Sequence, residues 1–441
     1  MALTKNAQIV EAAISRRGGV AELTKSLSPA TESAGDVTFD SADYLERRPR
    51  IRAEREPYAH ALSLVNDHIT VKQEVIDEAS AAYTEIANRL VSKLNWPADA
   101  IKIFPQGSAS TKTLIRTLRN EKFDIDAVCE VDISKVEARD PMAFFNAFGT
   151  ALDGLDAKAK KRCWFINVVG KPFYLEFTPS VPLTTVPLTG RQLQGLNNPE
   201  IEFVSTALAV VDTPQENWKT SNPAGVRDWV NRVSERSIVW SVSNEMYDGI
   251  RANVAPVVKQ SVEVEETLRV AIRLFKRHRD MSVYHNRLTE ETKPISIILV
   301  TLLTTCFDGL ADLIDAGVQP PFAHVVDALI AVAGLLPDMI QKYPTRGYFL
   351  TNPTVVDENF AERWNTDDGE RAEAFQTWCG HLRADLLAIA ALSDPEKIKE
   401  KTLEVFGCPA SGGSNGGGGN SAPSLALPKP PSPAPRTSGL A

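Results

Sequence analysis

Residues 123–128, Phe123-Asp124-Ile125-Asp126-Ala127-Val128, alternate apolar and acidic side chains with a period of two. As a strand this segment places Asp124 and Asp126 on one face, and Phe123, Ile125 and Val128 serve the core. Two unit charges side by side at about 4 Å repel by roughly 4 kcal/mol in an effective dielectric near 20. A fold that keeps such a pair needs compensation, and the usual compensation is a divalent cation held by oxygen ligands. Upstream, the apolar residues Ile101, Ile103 and Phe104 lead into Gly107-Ser108. A glycine turn opening a helix lets the backbone approach a phosphate and aims N–H groups at it. Phosphate cradle and paired carboxylates together point to phosphoryl or nucleotidyl transfer.

Composition bounds the partners. At 441 residues the chain is too long for one ordinary core, so two lobes plus tails are expected. A net charge of −8 argues against a protein built to grip long nucleic acid. The cysteines at 129, 163, 306, 379 and 408 show no metal-ligand spacing and read as reduced thiols. The longest apolar run, residues 295–307, is too short to span a bilayer and contains Ser296 and several threonines. Residues 1–20 do not read as a signal peptide, so a cytoplasmic protein without membrane contact is expected.

Along the chain, residues 1–55 read as a flexible or partly helical extension, with Ile9, Val10, Ala13 and Ile14 at helical spacing. Apolar residues from Leu62 to Leu94 recur at helical spacing, predicting one long packing helix over residues 57–95. A helix over 141–152 follows, then a strand over 163–169, a Gly170-Lys171-Pro172 turn and a returning strand over 173–177. Glu176 in that strand is either a solvent-facing residue or a further carboxylate for a two-metal site. From about 190 the chain reads as helical, with a helix over 261–280 that carries Lys276 and another opened by Pro294-Ile295-Ser296. The Gly/Ser/Asn-rich and then Pro-rich end reads as disordered. The expected division is an extension (1–55), a catalytic lobe with its packing helix (56–190), a helical nucleotide-binding lobe (191–407) and a tail (408–441).

Gly107-Ser108, Thr113 and the Asp124-x-Asp126 strand together resemble the signature of the DNA polymerase β-like nucleotidyltransferases. The branch that the chain resembles most is the cyclic-oligonucleotide synthases of bacterial antiviral defence (CD-NTases), relatives of cyclic GMP-AMP synthase and oligoadenylate synthase. Trp218 to Pro223 with Trp229, the run from Leu274 to Asp280 followed by Lys293 to Leu303, and Asn352-Pro353 with Glu358-Asn359-Phe360 and Trp364 extend the resemblance over about residues 60–405. It implies an α+β fold, with a small mixed sheet in a nucleotidyltransferase lobe and an α-helical substrate-binding lobe. It further implies that Asp124, Asp126 and Glu176 hold two Mg²⁺ ions, for which Mn²⁺ can substitute. Glu176 departs from the family, which more often has Asp there. By the same resemblance Gly107, Ser108 and Thr113 bind the nucleotide, and Lys276 and Ser296 hold the donor triphosphate. The resemblance further implies NTP substrates, ATP among them, with no long nucleic acid as substrate. It implies as product a cyclic di- or trinucleotide that activates a separate effector, and a C-terminal tail open to conjugation by a partner enzyme.

Other readings weigh less. A template-independent RNA polymerase of the poly(A) or CCA-adding kind shares the catalytic lobe, but neither the acidic balance nor any visible basic stripe favours it. Intact Asp124 and Asp126 speak against a catalytically silent nucleotide-sensing module. Gly107 to Thr113 lacks the second glycine of a P-loop, and the kinase-like triplet His278-Arg279-Asp280 has no glycine-rich loop before it. The six histidines have no nucleophile or metal partner at useful spacing.

Overall fold

A computed structural model describes residues 3–19, 41–118, 121–136, 140–239, 260–262, 266–322 and 324–409, the side chains of 41–52 and 98 excepted. Most of the expected tail and the polar stretch near 28–40 lie outside the described residues. In chain order the main elements are α1 (Lys5–Arg16), α2 (Ser41–Ile69), α3 (Gln73–Leu94), β1 (Ile101–Pro105), the single turn α4 (Gly107–Ser110), β2 (Phe123–Val131) and α5 (Pro141–Ala151). There follow β3 (Ala157–Ala159), β4 (Trp164–Asn167), β5 (Phe173–Pro182), α6 (Gly190–Leu196), β6 (Leu208–Asp212), β7 (Asn217–Ser221) and α7 (Pro223–Ser234). The helices α8 (Thr267–Tyr284), α9 (Ser296–Asp315), α10 (Val325–Leu335), α11 (Glu370–Ala390) and α12 (Pro395–Val405) complete the described chain, with a small hairpin at Lys342–Tyr348 between α10 and α11.

The sheet runs β1-β2-β5-β4-β3, with β6 and β7 continuing from the far end of β5. β2 and β5 are parallel, and Asp126 stands opposite Glu176 in their register. The remaining pairs are antiparallel, so the sheet is mixed. Period-two burial holds at the start of β2, where Phe123 and Ile125 are buried and Asp124 and Asp126 are partly exposed. Phe123 and Ile125 enter the core formed with α3 and α5. Val128 is also buried, but on the carboxylate face, where it meets Phe104, Leu208 and Ala224.

Two apolar cores result. One lies under the sheet with α3 and α5; the other gathers α1, α2 and α7 to α12. The apolar pattern of residues 57–95 predicts one helix, but the chain forms two, because the last carbonyls of α2 are taken by other donors. Thr70 Oγ1 donates to the Asn66 carbonyl at 2.7 Å, and the Arg116 N–H donates to that of Ile69 at 2.8 Å. α2 therefore packs in the helical core and α3 under the sheet. Nor does the chain turn wholly helical at 190. β6 is buried along its length and, with β7, extends the sheet before α7 begins at a Pro223 start capped by Asn222.

α9, at 20 residues, is the described helix long and apolar enough to cross a membrane. It exceeds the run read from sequence, and most of it is buried inside the helical core. α1 docks against it: Ala7, Val10 and Ala13 are fully buried, and Gly309 of α9 leaves room for the α1 backbone, since a Cβ there would meet the Asn6 carbonyl at 2.5 Å.

Candidate active site

The site begins where β1 ends. The Gln106 N–H donates to the Asp126 carbonyl at 2.9 Å, bringing the turn beside the carboxylate strand. Gly107 follows with φ +61°, and a Cβ on it would lie 2.4 Å from Asp126 Oδ2. Both the backbone conformation and the space therefore require glycine. Ser108 stands in α4, and its carbonyl accepts from the Thr113 N–H at 2.9 Å.

Lys276 on α8 reaches this turn from the helical core. Its Nζ donates to Ser108 Oγ and to the Thr113 carbonyl, each at 2.9 Å. The residue is 4% exposed, and burial, then the neighbouring Arg279 cation, draw its pKa down to about 8. Arg279 in turn donates to Ser296 Oγ at 3.2 Å and to the Pro294 carbonyl at 3.0 Å, fixing the start of α9. Thr113 is buried, and its hydroxyl pairs with that of Thr111 at 2.8 Å. Its side chain holds the turn together and does not reach the cleft.

A cleft of about 950 Å³ runs between the sheet and the helical core. Gly107, Ser108, Asp124, Asp126 and Ser296 line it, whereas Thr113, Glu176 and Lys276 are not among its lining residues. The Asp126 carboxyl is pushed well above its usual range, first by burial and then by the facing charges of Asp124 and Glu176. Glu176 is beside Asp126 in register, but its carboxylate pairs with Lys160 and accepts from the Cys163 thiol at 3.1 Å. As placed, no three His, Cys, Asp or Glu side chains among the described residues converge enough to hold a metal ion. Asp124 and Asp126 still form an acidic pair open to the cleft, the kind of donor set that a hard divalent cation takes.

Sequence reading missed the basic turn. Lys158, Lys160, Lys161 and Arg162 put four cations into residues 158–162, and the last three of them line the cleft. The density of that run, just before a strand of the catalytic sheet, was the available signal. Asn352, Glu358, Asn359 and Phe360 form part of the cleft wall, whereas Trp364 is a core residue.

A mixed sheet carrying an Asp-x-Asp strand behind a Gly-Ser turn, closed by a helical bundle, defines the chain as having the polymerase β-like nucleotidyltransferase fold. Within that class it has the CD-NTase fold. It matches the structure of the Bradyrhizobium diazoefficiens CD-NTase CdnG in complex with GTP over 80% of this chain and 100% of that one, with TM-score 0.50 and 15% identity. It matches the Escherichia coli MS115-1 CdnC structure with ATP over 79% and 97%, with TM-score 0.51 and 13% identity. In sequence it is 23% identical over 287 residues to a c-di-GMP synthase of Roseivirga ehrenbergii. That alignment spans 64% of this chain and 66% of the relative, just under two thirds of its length. No protein-family model matches the chain.

Proposed function

We propose that the protein is a metal-dependent nucleotidyltransferase of the cytoplasm that joins NTPs into a cyclic di- or trinucleotide, releasing pyrophosphate, as a signal in anti-phage defence. The observation that carries this is the Asp124–Asp126 pair facing the Gly107-Ser108 turn, with Lys276 seated on Ser108. The names of the relatives, a c-di-GMP synthase and CD-NTases bound to GTP or ATP, agree with it.

Asp124 and Asp126 would hold Mg²⁺, or Mn²⁺ in its place, and Glu176 would join them if Lys160 releases it. When bound, the cation neutralises triphosphate charge and acidifies the attacking ribose hydroxyl. Ser108 donates to the donor phosphates through its backbone and hydroxyl, Ser296 holds the β- and γ-phosphates at the cleft wall, and Lys276, seated behind Ser108, would reach them by exchanging its bond to Ser108 Oγ for a phosphate oxygen. The acceptor ribose oxygen attacks the α-phosphorus in line, its proton passes to solvent, and the α–β bridging oxygen leaves with pyrophosphate. The linear product then repeats the step on itself, its free ribose hydroxyl attacking its own 5′ α-phosphorus. Most of the rate derives from positioning and charge stabilisation. The cleft volume of about 950 Å³ is at the upper end for small-molecule sites and suits more than one nucleotide.

The test is purified protein with labelled NTPs and Mg²⁺ or Mn²⁺, followed by phosphatase. Short phosphatase-resistant product supports the reading, whereas products that need an RNA primer support a polymerase.

A further inference from the structure

We infer that the turn between β3 and β4 is a second polyphosphate subsite, in which Lys161 and Arg162 hold the 5′-triphosphate of the acceptor nucleotide. The inference deepens the proposed transferase function and rests on it.

The placement comes from strand order. The sheet runs β1-β2-β5-β4-β3, so the carboxylates of β2 and β5 lie between the Gly107-Ser108 turn after β1 and the basic turn before β4. Three strand spacings separate the two turns, roughly 14 Å. A donor triphosphate on Ser108 and Lys276 puts its α-phosphorus over Asp124 and Asp126. An acceptor must approach from the opposite side for in-line attack. Its own triphosphate, with about four negative charges, then falls towards the basic turn.

The turn is built rather than loose. Asp212 at the end of β6 is fully buried, and its Oδ1 accepts from Arg162 Nε at 3.2 Å and lies 3.5 Å from Lys161 Nζ. The Lys161 carbonyl accepts from the Thr213 N–H at 3.0 Å and the Thr213 hydroxyl at 3.1 Å, and the Lys160 N–H donates to the Cys163 carbonyl at 2.8 Å. One buried carboxylate thus orients two cations and cancels only one of them. Arg162 engages Asp212 through Nε and makes a loose ion pair, at 4.0 Å, between Nη2 and Glu362, whose closer partner is Lys219 at 3.2 Å. A phosphate in the same cleft can displace that loose pair and take the two-nitrogen fork, the geometry in which guanidinium is strongest. Lys161 is 43% and Arg162 32% exposed, accessible to a ligand yet fixed at the base.

The test separates donor from acceptor. A labelled 2′,3′-dideoxy-NTP lacks an acceptor hydroxyl and serves only as donor, so each reaction stops at a linear product. The full-length protein receives this donor, for each base in turn, with the matching NTP, NMP or nucleoside as acceptor. The readout is the kcat/KM ratio of NTP to nucleoside acceptor. The wild type should prefer the NTP acceptor at least about tenfold, the loss expected for charge-assisted hydrogen bonds. In Lys161→Gln, and in Arg162→Gln with Asp212→Asn, which keeps the hydrogen bond to β6 without the charges, the ratio should fall towards one. The ratio is taken within one preparation, so a partly unfolded variant does not distort it. A wild type indifferent to the acceptor's phosphates, or variants that keep its preference, would overturn the subsite while leaving the transferase reading standing. No transfer to any acceptor, with no product from ordinary NTPs either, would remove both.

Discussion

Asp124 and Asp126 were legible from the sequence because a strand's period of two leaves no choice about which side chains share a face. Burial and the facing carboxylates raise the Asp126 pKa, so between the unfolded and folded values the folded state binds more protons and stability falls as pH rises. Asp124→Asn with Asp126→Asn should therefore abolish nucleotide turnover while raising the melting temperature at neutral pH. The gain should fade as pH falls below about 4, where the Asp126 carboxyl becomes protonated in the unfolded state as well; melting scans at neutral and acid pH check it. Lys276 behaves in the opposite sense. With its pKa near 8, it is charged at neutral pH and loses its proton above that value. kcat/KM for the donor NTP should show a descending limb near pH 8 that is absent in Lys276→Ala, and the variant should lose roughly ten- to a hundredfold at neutral pH, as expected for a hydrogen bond to a charged group. What the sequence hid at this scale were side-chain partners chosen by how a turn folds. The hold of Lys160 on Glu176 depends on a turn that folds residue 160 back over β5, and the inward turn of Thr113 depends on Thr111.

At the scale of elements, the Gly-Ser turn and the β4–β5 hairpin were legible because each carries its own turn chemistry. Gly107→Ala tests how tightly the turn is fitted. An added Cβ lies 2.4 Å from Asp126 Oδ2 and φ is +61°, so the substitution should displace the carboxylate, remove turnover and cost about 1 kcal/mol or more of stability. Denaturant unfolding alongside product formation reads both effects. The break between α2 and α3 was not legible. The apolar period passes straight through Thr70, Val71 and Lys72, and the donor that caps Ile69 belongs to Arg116, far along the chain. β6 was hidden for a different reason: Leu208–Asp212 is buried on both faces, and the short apolar run ahead of Asp212 has no period to distinguish strand from helix.

For the whole molecule, the helical and sheet cores meet along the cleft, and α8 joins them by carrying Lys276 to the Ser108 turn. α1, read from sequence as part of an extension of unclear role, closes the helical core over Gly309. Removing residues 1–17 uncovers the surface that buries Val10, Ala7 and Ala13 and should lower stability by roughly 2–4 kcal/mol, read as a lower denaturation midpoint. The carboxylate pair thus followed from a local pattern, and the fold class from the family resemblance. The closing of one core upon the other did not, because it rests on contacts such as Lys276 with Ser108, 168 positions apart. The central claim is that the two cores together form a cleft in which NTPs are joined and closed into a ring. Its most direct test is mass spectrometry of the phosphatase-resistant material made from NTPs and Mg²⁺ or Mn²⁺ by the wild type and by Asp126→Asn, side by side. The account predicts a cyclic di- or trinucleotide mass from the wild type and none from the variant. A cyclic product from both, or only linear or primer-extended products from the wild type, would contradict it.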